Sequence, residues 1–467
     1  MKSIHSFNRP AADAVRAPQP NVRQTTRSSN DGWGVALAFS GGGTRAAAFA
    51  YGVLEELART PIRRSGASQW MLDRVRVITG VSGGSFTAAY YALHGERIFC
   101  DYEKTFLKRD VQRELMRELA RPQNLLKLAR NRIGRSEIAS DFYHKEIFGG
   151  ATFGDILHRT NRPELIVNAT DMITGLPFAF TQQNFDLIGS DLATFPVARA
   201  IAASAAAPVL LSPVTLLNHS ASNPAAWPAF AQQVNAELSD PQVPRRVATA
   251  IRSYFDTSSR PFIHLVDGGL SDYLGLHGLL DMSLPTRNID NALREHHHAD
   301  IRNIAVIVVN AAAERSAQWN TRSHLSIPQV LRAVSNAVTQ YNGTRALADF
   351  RRRLESWRQD GVGRAFHLVE ISFDQLADPE ERSLLLNLPT SLSLPAETVD
   401  RLRKVGARLL RESSAFQEFL RDFNDDGGKP EVVDVVAKLA LAGLAQGAVE
   451  RGGKPTARQA EDRLKML

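Results

Sequence analysis

Short apolar segments that end in glycine-rich turns and are followed by helical segments constrain the fold of this chain most strongly. Gly34–Ser40 is an apolar run that stops at three glycines, and Val75–Thr79 ends at a second glycine-rich turn. Apolar residues at helical spacing follow both turns. Later strand candidates of similar length are Leu165–Ala169, Phe262–Val266, Ile304–Asn310 and Phe366–Ile371. Strands that alternate with helices predict a three-layer α/β/α sandwich, with a mostly parallel central sheet covered on both faces.

The net charge of +7 is concentrated in two segments of the 467-residue chain. Residues 1–30 carry five basic groups and one acidic group, and residues 108–136 carry nine basic and three acidic groups. The two segments have net charges of +4 and +6, so the remaining residues together carry a net charge of −3. No nucleic-acid-binding signature accompanies the charge, which argues against nucleic acid as a partner. A composition with 43% hydrophobic and 22% charged residues excludes a collagen-like or wholly disordered chain.

Changes in composition divide the chain into three parts. Residues 1–31 are polar and basic and are predicted to form a disordered tail. Residues 32–425 are predicted to form the main domain, and residues 426–467 a C-terminal helix with a charged tail. Within the main domain we expect a basic helical insertion at 102–145 and an elaborated loop region at 214–260. Helices are predicted after the last strand candidate.

The turn Gly80-Val81-Ser82-Gly83-Gly84 has the spacing of a nucleophile elbow. Small residues around the serine allow a tight turn from strand to helix, which projects the hydroxyl above the edge of the sheet. The alternative is an ordinary glycine-rich turn in which the serine only caps the helix. The preceding apolar strand and the following helix favour the nucleophile.

A second glycine-rich turn, Ser40-Gly41-Gly42-Gly43-Thr44-Arg45, closes the first strand. Consecutive glycines let backbone amides converge on an anion, either a phosphate or the oxyanion of an acyl-transfer reaction. The turn lacks the Gly-Lys-Ser/Thr ending of a phosphate loop and the spacing of a dinucleotide fingerprint. An oxyanion hole beside Ser82 therefore fits better. Arg45 is predicted either to steer a phosphate head group or brace the loop, or to be an ordinary surface arginine.

The third feature is an aspartate that closes an apolar strand, in His264-Leu265-Val266-Asp267-Gly268-Gly269. An acid at the carboxyl edge of a strand in an α/β sheet points toward the usual ligand crevice. The alternative is a turn or helix-capping aspartate, which is common.

The three features in this order resemble the patatin-like phospholipase family. That family has a G-G-G-x-R/K loop, a G-x-S-x-G elbow and a D-G-G/A motif. They stand here as Gly41–Arg45, Gly80–Gly84 and Asp267–Gly269. Weaker similarities are Ala169–Asp171 and the segment Ala203–Pro208. The resemblance covers residues 34–280 well, and the sequence is similar to bacterial members of the family. It implies a patatin-like catalytic domain for residues 32–425.

The resemblance implies a Ser–Asp dyad, in which Ser82 is the nucleophile and Asp267 the base. Partial desolvation of Asp267 is expected to raise its pKa and make it a better base. The oxyanion and substrate-binding residues are then Gly41, Gly42, Gly43, Thr44, Arg45 and Gly83. Glycines that support the motifs are Gly80, Gly84, Gly268 and Gly269. The implied reaction is hydrolysis of a fatty-acyl ester, of the phospholipase A or lysophospholipase type, without metal or cofactor.

Histidines are the rivals to a dyad, because a conventional triad places one between acid and serine. His264 precedes Asp267 by three residues in the strand and is predicted to face the opposite side. His277 follows in a loop-like segment, and the run at 296–298 is interpreted as a solvated loop rather than a metal site. Cys100 is predicted to be buried and to have no function.

The insertion is the candidate for contact with a membrane. Residues 108–136 interleave leucines with arginines, as amphipathic helices on anionic membranes do, but a solvated scaffold helix has the same pattern. No apolar run is long enough for a spanning helix, and no secretory signal is readable. We expect a cytoplasmic or peripheral membrane protein, with unconventional export open. The alternative functions are a soluble carboxylesterase, an acyltransferase or a non-catalytic lipid-binding protein of the same fold.

Overall fold

The computed structural model describes residues 8–11, 32–64, 67–130, 133–157, 159, 162–208, 210–220, 229–239, 245–281, 300–313, 324, 326–360 and 364–425. The chain divides into two compact units, residues 1–419 and residues 420–467. The second is described only for residues 420–425. The C-terminal helix and tail predicted for 426–467 and the histidine run at 296–298 therefore lie outside the described residues.

One mixed, mostly parallel sheet forms the centre of the first unit, as predicted. Its strand order is β10-β9-β1-β4-β5-β8-β7, and β6 pairs with β5. A separate antiparallel hairpin consists of β2 and β3. The strands are β1 (Trp33–Phe39), β2 (Pro61–Arg64), β3 (Ala67–Trp70), β4 (Val75–Val81), β5 (Glu164–Asp171), β6 (Pro177–Ala179), β7 (Val214–Leu217), β8 (Phe262–Asp267), β9 (Asn303–Asn310) and β10 (Phe366–Ser372).

The direction of the strands changes along the sheet. The strands from β10 to β5 are parallel, whereas β8 runs antiparallel to β5 and β7 antiparallel to β8. All six predicted strands are present, and their observed bounds differ from the prediction by at most two residues. The prediction of a loop region at 214–260 is wrong in part, because it contains β7 and two helices. Short strands and helices give weak periodicity, so the sequence pattern does not reveal them.

Helices cover both faces of the sheet. They are α1 (Gly43–Arg59), α2 (Gly83–His94), α3 (Ile98–Tyr102), α4 (Val111–Ala120), α5 (Pro122–Ala129), α6 (Arg135–Glu146), α7 (Phe153–Leu157), α8 (Gln182–Leu187), α9 (Val197–Ser204), α10 (Ala229–Glu237), α11 (Arg245–Arg252), α12 (Leu276–Asp281), α13 (Ile327–Asp360), α14 (Pro379–Leu386), α15 (Ala396–Glu412) and α16 (Ser414–Asp425). On one face, Phe350 and Leu354 of α13 pack against Ala38 and Val306 of the sheet. Helix α1 packs against α2 and α15.

Two predictions about single segments need correction. Residues 8–11 belong to the predicted disordered tail, but Asn8 is buried and exchanges hydrogen bonds with Leu217 of β7. Its side-chain amide pairs with backbone groups of β7, the strand at the end of the sheet. Cys100, predicted to be buried, is exposed. No helix in the described part of the chain is both long and apolar enough to cross a membrane.

Candidate active site

The elbow joins β4 to α2 as the sequence predicts. Ser82 lies between them with φ 47° and ψ −117°, and no other non-glycine residue among those described has a positive φ. Such a conformation costs about 1–3 kcal/mol and persists only where the surroundings enforce it. A Cβ on Gly84 would lie 2.5 Å from the Ser40 carbonyl oxygen, so this position of the turn requires glycine. The turn therefore holds the serine hydroxyl at the edge of the sheet.

Strand β5 lies between β4 and β8 and brings Ser82 and Asp267 together. In β5, Asn168 is in register with Val81 of β4, and the next residue, Ala169, is in register with Asp267 of β8. The Ser82 hydroxyl donates a hydrogen bond to Oδ2 of Asp267 at 3.1 Å. The other carboxylate oxygen, Oδ1, accepts a hydrogen bond from the Gly269 amide at 2.8 Å, which orients the carboxylate. The two predicted residues thus lie within direct proton-transfer distance.

The surroundings of Asp267 alter its acidity. Burial of the carboxylate in the protein raises the pKa of Asp267 to about 6, because the charged form loses hydration. The hydrogen bonds from the Gly269 amide and the Ser82 hydroxyl lower the pKa, but by less than burial raises it. The carboxylate is therefore a stronger base than an exposed aspartate and is still mostly ionised at neutral pH.

The glycine loop presents only some of its amides to the region beside Ser82. The Gly41 amide donates to the Tyr273 carbonyl at 3.0 Å, and the Thr44 amide donates to the Ser391 carbonyl at 2.8 Å. Within the described part of the chain, no hydrogen bond occupies the amides of Gly42 and Gly43. These two amides are left as candidate donors, whereas those of Gly41 and Thr44 are already used.

Gly83 lies directly against the glycine loop. A Cβ on Gly83 would lie 2.1 Å from the Gly43 carbonyl oxygen, so the two backbones approach as closely as glycines permit. Gly43 begins α1 and Gly83 begins α2. The amino termini of two helices, each carrying partial positive charge, therefore meet beside Ser82. This arrangement favours a negative charge on an atom bound there.

The Arg45 side chain is buried, which excludes the surface interpretation. It is 2% exposed, and its guanidinium donates to the backbone carbonyls of Ala311, at 3.0 Å, and Leu388. A third contact, 3.5 Å long, reaches the Thr390 hydroxyl. Arg45 therefore braces the glycine loop against distant segments of the chain. Thr44 is also fully buried.

Neither His264 nor His277, the two candidates from the sequence that the structure describes, takes the position that a triad requires. His264 lies on β8, where its Nδ1 is 3.0 Å from the Thr215 hydroxyl of the neighbouring strand. His277 lies 3.5 Å from the carboxylate of the fully buried Asp272. The partner of the Ser82 hydroxyl is a carboxylate instead.

Two residues of the site were not assigned a role from the sequence. The Ser204 hydroxyl accepts a hydrogen bond from the Ser82 amide at 2.7 Å and donates to the Asn168 carbonyl at 2.6 Å, so it fixes the elbow to β5. The Tyr273 ring would lie 3.1 Å from a Cβ on Gly41. In the sequence, the position of Ser204 just before an alanine-proline segment is a weak signal for its role. No sequence pattern indicates a role for Tyr273.

The segment 108–136 of the basic insertion borders this site near both of its ends. Near its start, the Gln112 side chain accepts a hydrogen bond from the Ser391 hydroxyl at 2.8 Å, and the Ser391 carbonyl accepts one from the Thr44 amide of the glycine loop. At its end, the Ser136 amide donates to the hydroxyl of Ser212, at 3.1 Å. The chain before Ser212 approaches the catalytic candidate, since the Asp267 amide donates to Ala206. Helices α4 and α5 therefore lie between two segments that contact the site.

Comparisons with known proteins identify a family model and solved structures that match this chain. A family model described as patatin-like phospholipase matches residues 37–280. Fifteen chains of solved structures match. They include human GIVD cytosolic phospholipase A2 (11% identity, TM-score 0.47, 90% of this chain and 68% of that chain covered). Its complex with methyl gamma-linolenyl fluorophosphonate also matches (12% identity, TM-score 0.40, 90% and 65% covered). A search of curated proteins found no match.

Proposed function

Because this chain belongs to the patatin-like phospholipase family, we propose that it is a serine lipid acyl hydrolase of the phospholipase A or lysophospholipase type. In this proposal Ser82 and Asp267 form the catalytic dyad. The observation that carries it is the 3.1 Å contact between the Ser82 hydroxyl and the Asp267 carboxylate, at the meeting point of two helix amino termini. A serine that only capped α2 would bond the helix backbone, and the Ser82 side chain makes no such bond.

Acylation starts with attack of the Ser82 oxygen on the carbonyl carbon of a fatty-acyl ester. Asp267 accepts the hydroxyl proton as the new C–O bond forms, because its raised pKa makes it a competent base near neutral pH. The resulting oxyanion is stabilised by the amides of Gly42, Gly43 and Gly83. Removal of one such donor costs other enzymes about 2.7–4 kcal/mol of transition-state stabilisation. Asp267 then gives the proton to the leaving alcohol or lysolipid.

Deacylation repeats the sequence with water. Asp267 accepts a proton from the water as its oxygen attacks the acyl-enzyme, and returns the proton to Ser82 as the fatty acid leaves. An alcohol in place of water would give acyl transfer. The product therefore distinguishes a hydrolase from an acyltransferase that uses the same residues.

Labelling with a fluorophosphonate tests the proposed nucleophile. We expect wild type to be labelled and Ser82→Ala not to be. His264→Ala and His277→Ala are matched controls, since both residues lie in the same part of the chain and both should retain labelling. Labelling that persists in Ser82→Ala, or disappears in a folded histidine variant, contradicts the dyad. Absence of labelling in every protein favours a non-catalytic lipid-binding role.

Lipid analysis tests the proposed substrate class. Vesicles of mixed phospholipids and a short soluble ester are each incubated with wild type and with Ser82→Ala. Release of fatty acid and lysolipid from vesicles by wild type alone supports the proposal. Hydrolysis restricted to the soluble ester favours a carboxylesterase, and acyl chains appearing on an alcohol acceptor favour an acyltransferase.

Residues 108–136 are the proposed peripheral membrane contact. Helix α5 has no buried residue, and large apolar side chains are about half-exposed at Met116, Leu125 and Leu126. Exposed basic side chains surround them, namely Arg113, Arg117, Arg121, Lys127 and Arg130. Each basic group near an anionic leaflet contributes ~1 kcal/mol. Charge reversal at Arg117 and Arg130 should weaken binding to anionic vesicles, and unchanged binding would contradict this contact.

A further inference from the structure

The long helix α13 has two apolar faces. One face packs on the sheet through buried side chains in its second half, which are Ala346, Leu347, Phe350, Leu354 and Trp357. The other lies in its first half and is exposed. We call this exposed set the outer stripe, and its members are Ile327 (77% exposed), Val330 (44%), Val334 (55%), Val338 (40%) and Tyr341 (67%).

The outer stripe is a continuous surface along the helix. At 3.6 residues per turn its five members fall within an arc of roughly 80°. The buried residues of the second half lie on the opposite side of the same helix, by the same periodicity. Packing against the sheet therefore does not explain the outer stripe, and scattered surface apolar residues would not share one arc.

The first half of α13 is attached to the proposed catalytic turn. The Asn342 side-chain amide donates to the Leu270 carbonyl at 2.6 Å. A Cβ on Gly269 would lie 3.4 Å from the Thr339 methyl group. Gly269 and Leu270 directly follow the aspartate at 267, so the helix that carries the outer stripe borders the dyad.

In the sequence, the segment that contains the outer stripe carries basic residues and no acidic ones. Residues 315–348 contain four arginines (Arg315, Arg322, Arg332 and Arg345) and no aspartate or glutamate. The apolar residues on one helical face match the apolar acyl region of a lipid surface. The basic residues of the same segment match the negative charge of anionic head groups.

We propose that the outer stripe of α13 docks on an anionic phospholipid surface and places the dyad against it. This inference rests on the proposed lipid substrate. A second copy of the chain is the main alternative occupant. When two helices pair along an apolar stripe, the positions beside the stripe usually carry complementary acidic and basic groups. Residues 315–348 contain no acidic group. The stripe adds a second contact on the side of the site formed by the Asp267 turn.

The test measures vesicle binding in a Ser82→Ala background, so that lipid turnover does not alter the vesicles. Vesicles contain either phosphatidylcholine alone or equal parts of phosphatidylcholine and phosphatidylglycerol. Val334→Asp and Val338→Asp are introduced together. Leu384→Asp is the matched control, since Leu384 is 46% exposed and lies on another helix, α14. We expect the stripe variant to bind mixed vesicles about tenfold more weakly for each valine replaced, and the control to bind normally.

Three outcomes overturn the proposal. They are unchanged binding of the stripe variant, an equal loss in the Leu384→Asp control, and conversion of a dimer to a monomer with vesicle binding intact. Val334→Ser with Val338→Ser provides a milder pair if the aspartates prevent folding. In the Ser82 wild-type background, hydrolysis of a soluble short-chain ester should be unaffected by the stripe variant. Fluorophosphonate labelling reports the catalytic proposal separately, so loss of vesicle binding with no labelling would sustain the docking surface and reject the hydrolase.

Discussion

Replacement of Asp267 by asparagine should abolish catalysis and at the same time stabilise the protein above pH 6. Asparagine keeps the shape of the side chain and an oxygen that can accept the Gly269 amide hydrogen bond. It removes the charge that burial disfavours. The same burial that raises the pKa of Asp267 thus costs folding free energy when the carboxylate is ionised.

The magnitude follows from the pKa of Asp267. Burial raises it from an ordinary 3.8 to about 6, so the folded protein binds the proton more tightly than the unfolded chain. The contribution of Asp267 to stability is therefore fully present below pH 4 and is lost as the pH rises through 6. The full change corresponds to ~3 kcal/mol, at about 1.4 kcal/mol for each tenfold change in proton affinity. Between pH 5 and pH 8 the loss is ~1 kcal/mol.

Denaturant unfolding of wild type and Asp267→Asn at pH 5, 6, 7 and 8 measures this loss. Wild type should lose ~1 kcal/mol more than the variant across that range. In wild type, kcat/KM for a soluble ester should rise with pH through about 6, because the base must be ionised.

Asp186→Asn is the matched control. Burial also raises the pKa of Asp186 to about 6, and its side chain is bound by Gln182 of α8. The variant should show a similar change in stability with pH and an unaltered pH profile of activity. Parallel stability curves for wild type and Asp267→Asn, or an activity profile that is flat from pH 5 to pH 8, would refute the reasoning.

Three further substitutions test the supports of the site. Ser204→Ala should lower kcat of the soluble-ester reaction by about tenfold with little change in KM, because the Ser82 amide loses its acceptor; an unchanged kcat counts against this role. Arg45→Met should lower the free energy of unfolding by ~3 kcal/mol, because the buried carbonyl of Ala311 and the partly buried carbonyl of Leu388 lose their donor; a loss below ~1 kcal/mol in denaturant unfolding would indicate that the brace is dispensable. Ser82→Gly should be more stable than Ser82→Ala by ~1 kcal/mol, because glycine adopts a φ of 47° without strain; equal unfolding midpoints would show that the turn is unstrained.

The strand-to-helix turn at Ser82 could be predicted from the sequence because its determinants are local. Glycines at 80, 83 and 84 allow the turn, and the apolar strand before it and the helix after it lie within a few residues. Asp267 was also predicted, from its position at the end of an apolar strand and from the D-G-G motif of the family that the sequence resembles. It lies on a strand antiparallel to β5 and reaches Ser82 because it is in register with Ala169. Strand direction and register depend on pairing between distant segments.

The roles of Arg45 and of the loop amides required the tertiary structure. The G-G-G-x-R pattern is the same whether the arginine faces a substrate or the protein interior. Its burial results from carbonyl partners as far away as Leu388, 343 residues along the chain. The amides of Gly41 and Thr44 are occupied by Tyr273 and Ser391, which are also remote in sequence.

The sequence by itself therefore determined the α/β fold class and the serine turn, and its resemblance to a known family pointed to Ser82 and Asp267 as the proposed catalytic residues. Patterns of apolar residues and glycines act over short stretches, and they specify local conformation directly. Only the tertiary structure decided how the aspartate reaches the serine, which amides stay available, and that apolar surfaces flank the site on two elements. These depend on contacts between residues hundreds of positions apart, and no local pattern encodes such contacts.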